Sequence, residues 1–144
     1  MGKRIIIIIL VVVVIGLGVV LLGKKNTPSP APAAAPVLGT WVWMSTDASD
    51  GSTITPKQAS AFTVTFTDDG RVSGTTDCNN FTGSYTQPAL GEIAFGALAS
   101  TKKFCADSQE SVFTGALAKA NAYAVSFTAL DLSFDAGTMH FIKQ

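Results

Sequence analysis

Residues 62–85, FTVTFTDDGRVSGTTDCNNFTGSY, decide the fold. Phe62, Val64 and Phe66 alternate with threonines, the two-residue period that places one set of side chains on one face of a strand. Asp69-Gly70 then supplies a reversal and Val72 resumes the alternation beyond it, so the segment predicts a β-hairpin. Phe81, Gly83 and Tyr85 carry the same period on a further strand. Between the strands lie Cys78, Asn79 and Asn80, read as a connection, with Gly74 and Gly83 permitting a tight or irregular backbone nearby.

The pattern continues outward in both directions. Upstream, Trp41 and Trp43 share one face of a strand, with Val42 and Met44 on the other. Downstream, Ile93 and Phe95, then Tyr123-Val125-Phe127, Leu130-Leu132-Phe134 and Met139-Phe141 alternate in the same way. The connections, among them Asp135-Ala136-Gly137, are too short to hold crossover helices, so the sheet is antiparallel. One stretch breaks the period: Val112, Phe113, Ala116, Leu117 and Ala120 recur at helical spacing, with Gly115 interrupting. Asp107 and Glu110 fit the spacing of a capping box at its start. The expected fold is mainly β, of the α+β kind: a small antiparallel, curled or barrel-like sheet of seven or eight strands with one covering helix. Trp41, Trp43, Phe62, Phe66, Tyr85 and Phe127 are expected on its inward faces.

Ahead of this domain, residues 37–144, the chain has two segments of different character. Residues 5–23 form an uncharged apolar run of 19 residues behind Lys3 and Arg4. As a helix it would be about 28 Å long, the thickness of a bilayer core, so residues 1–23 read as a transmembrane anchor. A cleaved signal peptide normally has a shorter apolar region and a small-residue cleavage site directly after it. Residues 24–36 contain four prolines and read as an extended spacer, which resists folding and holds the domain away from the anchor. The expected arrangement is a single-pass membrane protein with its folded domain outside the cytoplasm.

The balance of charge narrows the partners. Ten basic and ten acidic residues cancel, which leaves no positive footprint for a phosphate backbone, and nucleic acid is not an expected partner. No catalytic, cofactor-binding or metal-ligating set is expected either. His140 sits between Met139 and Phe141 as the outward residue of a strand rather than as a base for Cys78. The carboxylates lack metal spacing, and several suit turns or caps. No glycine-rich phosphate loop is present. Two cysteines in an exported domain allow one intramolecular bridge, Cys78 to Cys105, which would fasten the helix start to the bend at Cys78; buried free thiols are the alternative.

The segments GTWVW, FTVTFTDDGRVSGTTDCNNFTGSY, IAFGALASTKKFC, QESVFTGALAKANAYAV, LDLSF and MHFIK, taken in order, resemble the META domain family of HslJ-like bacterial envelope proteins. The resemblance covers nearly all of residues 37–143. It implies a small antiparallel barrel-like fold with one helix, in a secreted, membrane-attached or lipoprotein setting, and a role in envelope stress rather than a reaction. The family's marker positions fall on Trp41, Phe66, Gly70, Gly74, Cys78, Asn79, Phe81, Gly83, Tyr85, Thr101, Cys105, Glu110, Phe113 and Leu117. Lys103 and Phe104 depart from the methionine and alanine of many members, and the proline-rich spacer departs from the lipoprotein arrangement. The expected function is that of a non-enzymatic, membrane-tethered envelope domain, related to envelope stress, that binds or stabilises another protein or surface component. The alternative is a barrel that takes a small molecule or lipid between its inward aromatic side chains.

Overall fold

A computed structural model of the protein describes residues 37–144. The expected anchor, residues 1–23, and spacer, residues 24–36, lie outside the described residues. No helix among the described residues is long and apolar enough to cross a membrane.

The alternating segments form strands β1 (Gly39–Ala48), β2 (Thr53–Ile54), β3 (Thr63–Phe66), β4 (Arg71–Thr75), β5 (Asn80–Thr86), β6 (Ala94–Phe95), β7 (Ala99–Ser100), β8 (Ala122–Val125), β9 (Ala129–Phe134) and β10 (Gly137–Lys143), with helix α1 (Glu110–Leu117) between β7 and β8. Eight of them make one path, β6-β5-β4-β3-β1-β10-β9-β8, while β2 lies beside β1 and β7 beside β5. Every pairing is antiparallel. The two ends of the path also meet. Glu92, just before β6, bridges Ala122 at the start of β8, and the Tyr123 amide donates to the Gly91 carbonyl at 2.8 Å. The result is a nearly closed barrel of eight strands, which removes most of the unpaired edge that an open sheet would expose.

The predicted hairpin is β3–β4, with Phe66 opposite Val72 and Val64 opposite Gly74. Its turn needs Gly70, whose φ of +78° lies in the left-handed region. The next pairing sets Gly74 opposite Phe81. A Cβ at position 74 would fall on the Thr63 carbonyl and 2.5 Å from the Phe81 ring, so the missing side chain is what lets that ring lie across the sheet.

Helix α1 closes the barrel with one aromatic plug. Phe113, wholly buried, has its ring 5.3 Å from Trp43, 5.2 Å from Phe62, 6.0 Å from Phe81 and 6.2 Å from Phe141. Trp43 meets Phe62 edge to face at 5.1 Å, and Phe66 meets Tyr85 in the same way at 4.9 Å. Trp41, Ile93, Leu117, Leu130, Leu132 and Met139 are the other large side chains that are fully buried. Each such side chain contributes roughly 1.5–3 kcal/mol of burial, and each tilted or edge-on aromatic pair about 0.5–1.5 kcal/mol more.

Four expectations need correction. Phe127 does not face inward: β8 stops at Val125, the Ser126 amide bonds to the Ala129 carbonyl at 2.8 Å, and Phe127 stands on the resulting turn, 99 % exposed. The helix ends at Leu117, so the buried Ala120 packs from the segment after it. Val112 faces solvent rather than the core. The capping box does not form: Asp107 has φ +61°, Gln109 is the N-cap residue, and neither caps through its side chain.

Candidate functional site

The cap comes from another part of the chain. Asp77, on the β4–β5 connection, accepts from the Gln109 amide at 2.8 Å through Oδ2 and from the Ser108 hydroxyl at 2.6 Å through Oδ1. A carboxylate suits this position, because the first amides of a helix lack partners inside it and carry a partial positive charge. Gln109 in turn donates its side-chain amide to the Thr55 carbonyl at 2.9 Å and accepts from the Lys57 amide at 2.7 Å. The helix start is thereby tied to two connections distant in sequence.

Beside Asp77, the buried Asn79 uses every polar atom of its side chain. Oδ1 accepts from the Lys103 amide and the Thr101 hydroxyl, both at 2.8 Å. Nδ2 donates to the Lys103 carbonyl at 3.1 Å and to Glu110 Oε2 at 2.6 Å. One side chain thus clamps both backbone groups of Lys103 and the first residue of α1. The other carboxylate oxygen of Glu110 accepts from Ser100, and the Thr101 amide donates to the Asn80 carbonyl at 3.0 Å. Asn79 was expected merely to span a connection; it is the centre of the network instead. The disulfide Cys78–Cys105, across 27 residues of sequence, closes the same knot, so the thiol alternative falls away.

The family's marker positions divide into three structural uses. Trp41, Phe66, Phe81, Tyr85, Phe113 and Leu117 fill the core. Gly70 makes the turn, while Gly74 and Gly83 admit Phe81 and Leu98 respectively. Cys78, Asn79, Thr101, Cys105 and Glu110 build the knot. Tyr85 adds one further tie, its hydroxyl donating to the Thr67 carbonyl at 2.8 Å. Burial, with the charges of Asp68 and Asp69 nearby, raises the Tyr85 phenol above its ordinary value. Asp69 is held below the usual carboxylate range, first by the Thr67 hydroxyl and then by the Arg71 backbone and charge, against the opposing effect of burial.

Two surface depressions flank these elements. The first, of about 390 Å³, lies over the knot between Cys78–Cys105, Lys103, Phe104, Ser108 ahead of the helix, and Glu110, Ser111 and Thr114 on α1. The second, of about 730 Å³, lies against the β3–β4 turn, with Asp68, Asp69 and Arg71 at its rim and Val72 and Gly83 below. His140 is half-buried on the outer face, its Nδ1 2.7 Å from Asp131 and its Nε2 3.3 Å from Asp47. Among the described residues no three His, Cys, Asp or Glu side chains converge as a metal site.

The loop between β7 and α1 carries what sequence patterning missed. Phe104 is 94 % exposed, next to Lys102 and Lys103, and among the described residues no carboxylate lies within ion-pair distance of either lysine. The backbone around Phe104 is nevertheless pinned on both sides, by the Asn79 clamp on Lys103 and by the disulfide at Cys105. The hints in the sequence are an aromatic residue beside two lysines immediately before a cysteine, and the departure of Lys103 and Phe104 from the residues the resemblance leads one to expect there.

Comparison with known structures places the same fold elsewhere. A protein from Burkholderia xenovorans solved by NMR is 25 % identical and superposes with a TM-score of 0.62, over 85 % of this chain and 99 % of that one. A crystal structure of a DUF4847 family protein from Bacteroides vulgatus is 18 % identical, with a TM-score of 0.58, over 74 % of this chain and 92 % of that one. No curated protein sequence matches the chain. The family model of the META domain matches residues 36–144. By that match, which takes in the whole barrel, the helix and the knot, the chain belongs to the META domain family.

Proposed function

We propose that the protein is a non-enzymatic, membrane-tethered envelope domain that binds another protein outside the cytoplasm. The observation that carries this reading is the division of labour in the domain. The marker residues are spent on packing and bracing, and what they brace is an exposed loop bearing Lys102, Lys103 and Phe104. The apolar residues 5–23 and the proline-rich residues 24–36 supply an anchor and a spacer for such a domain. A role in envelope stress fits a domain of this kind and is part of the proposal.

A barrel that takes a small molecule or lipid inside is the weaker reading. Trp41, Trp43, Phe62, Phe66 and Tyr85 are buried, and the aromatic rings at their centre lie against one another at packing distance. A ligand would have to displace part of that core, at a cost of several kcal/mol of the kind seen when large core side chains are lost.

The test is proximity labelling from the full chain in its own membrane, beside a control carrying residues 1–36 fused to an unrelated domain. A protein enriched reproducibly by the full chain over that control is the expected result. Equal labelling by both, or recovery of the protein in the soluble fraction after cell breakage, would overturn the proposal.

A further inference from the structure

Three successive residues of the β4–β5 connection hold three different parts of the segment that faces them. Asp77 holds the Ser108 hydroxyl and the Gln109 amide, Cys78 holds Cys105, and Asn79 holds Thr101, Lys103 and Glu110. Hydrogen bonds thus fix the segment on both sides of the disulfide, at residues 101–103 and 108–110. Between them, residues 104–107 are all exposed, and they carry the bond at Cys105 and a tie from the Lys57 ammonium to the Asp107 carbonyl at 3.1 Å. The covalent bond therefore governs the exposed tip of the loop, and polar contacts govern the rest of the knot.

The two ends of the bond differ. Cys78 sits in a turn closed by Thr76, whose hydroxyl accepts from the Cys78 amide at 3.2 Å and the Asn79 amide at 2.8 Å. The Thr76 amide in turn donates to the Asn79 carbonyl at 2.8 Å, so the turn is held without help from the disulfide. Cys78 is half-buried, with Sγ 3.4 Å from the Lys103 carbonyl, an acceptor for a thiol proton that Asn79 already holds in place. Cys105 is exposed, and both cysteines line the depression of about 390 Å³. Exchange requires that a thiolate reach a disulfide sulfur, and exposed bonds are the ones that reducing thiols open.

We propose that Cys78–Cys105 is a thiol–disulfide exchange site, opened by a dithiol reductant while the barrel stays folded. A thiolate of the dithiol attacks Cys105 Sγ, forms a mixed disulfide with it and expels Cys78 as a thiolate. Cys78 takes up a proton, and its S–H donates to the Lys103 carbonyl. The second thiol of the reductant then attacks the reductant's own sulfur in the mixed disulfide and releases Cys105. Two electrons and two protons pass to the protein, which ends with two thiols, and the dithiol ends as a disulfide. Reduction frees residues 104–107, Phe104 among them, and leaves the ties of Asp77 and Asn79 in place; oxidation fixes the tip again. The site stands whether or not the loop docks a partner.

The experiment treats the full chain in a membrane mimetic with dithiothreitol at neutral pH, traps the thiols with iodoacetamide at intervals and counts them by peptide mass spectrometry. The expected rate is proportional to dithiothreitol concentration and changes by less than about twofold per molar urea below the unfolding transition, whereas a bond that opens only in the unfolded chain is reduced at least about fivefold faster per molar. In the reduced protein, the amide order parameters of residues 104–107 are expected to fall from the rigid value of about 0.85 to below about 0.6, while those of β4, β5, Thr101 and Lys103 stay rigid. With glutathione as the probe, the mixed disulfide is expected on Cys105. Reduction that tracks unfolding, loss of the near-ultraviolet signal of the buried Trp41 and Trp43 on reduction, or unchanged order parameters at residues 104–107 would overturn the exchange site. A glutathione adduct on Cys78 instead of Cys105 would overturn the assigned direction of attack.

Discussion

Replacing Asn79 with alanine tests whether the family's signature is a structural brace. The substitution removes four side-chain hydrogen bonds, two to the backbone of Lys103, one to the Thr101 hydroxyl and one to the Glu110 carboxylate. Neutral bonds of this kind are worth about 1 kcal/mol each net, and a bond to a charged group about 1.5–3 kcal/mol. The gross loss is roughly 5 kcal/mol, but Lys103 and Thr101 are exposed, so water replaces part of it. The expected destabilisation is therefore about 3 kcal/mol, or a fall of about 15 °C in Tm for a domain of this size. Asn79→Asp is expected to cost at least as much, since it turns an oxygen toward Glu110 where a nitrogen now donates at 2.6 Å. The assay is thermal and urea unfolding of the full chain in detergent under oxidising conditions, followed by the near-ultraviolet signal of the buried Trp41 and Trp43. A loss below about 1 kcal/mol for Asn79→Ala would refute the reasoning, because it would mean that the clamp contributes no more than a single surface bond.

Further outcomes follow from the same geometry. Replacing Cys78 and Cys105 with serine opens a loop of 27 residues and is expected to cost about 3.6 kcal/mol by loop entropy, read as a fall in the urea midpoint. Gly74→Ala sets a methyl group against the Thr63 carbonyl and the Phe81 ring and is expected to destabilise by at least about 1–3 kcal/mol. Gly115→Ala, where a Cβ meets nothing within 4 Å in a helical segment, is expected to stabilise by about 0.4–1 kcal/mol; Tm differences for both variants check the pair. The folded protein holds the Tyr85 phenolic proton more tightly than the unfolded chain, so its contribution is complete below the ordinary value of 10.0 and is lost as pH rises through the raised value. Melting curves across that alkaline range are expected to fall less steeply with pH in Tyr85→Phe than in the unaltered protein.

The parts of the fold that depend on local pattern were legible in the sequence. Alternation around Asp69-Gly70 identifies β3 and β4 because the same residues that turn the chain also separate two strands with one buried face each. The same logic fails at Phe127. Its two-residue spacing from Val125 is arithmetically correct, but the chain has already turned at Ser126, and a turn residue obeys no strand period. Asp107 and Glu110 show a second kind of failure. Their spacing matches a local cap, yet the partner that wins is Asp77, 32 residues away from the amide it accepts from. Asn79 shares that difficulty, since an asparagine in a turn and one clamping a distant loop are identical in sequence until the topology brings Lys103 and Glu110 to it. The exposure of Phe104 is likewise a property of the knot: nothing in the neighbouring residues says that both its flanks are pinned.

Native-state hydrogen exchange of the full chain in a membrane mimetic tests most directly that the signature residues brace the exposed tip. The amides of Thr101 and Lys103 donate to the Asn80 carbonyl and to Asn79 Oδ1. If the knot opens only with the barrel, these two amides exchange as slowly as those of β4 and β5, and Asn79→Ala releases them selectively. Exchange of Thr101 and Lys103 at the rate of a free surface loop in the unaltered protein would contradict the account.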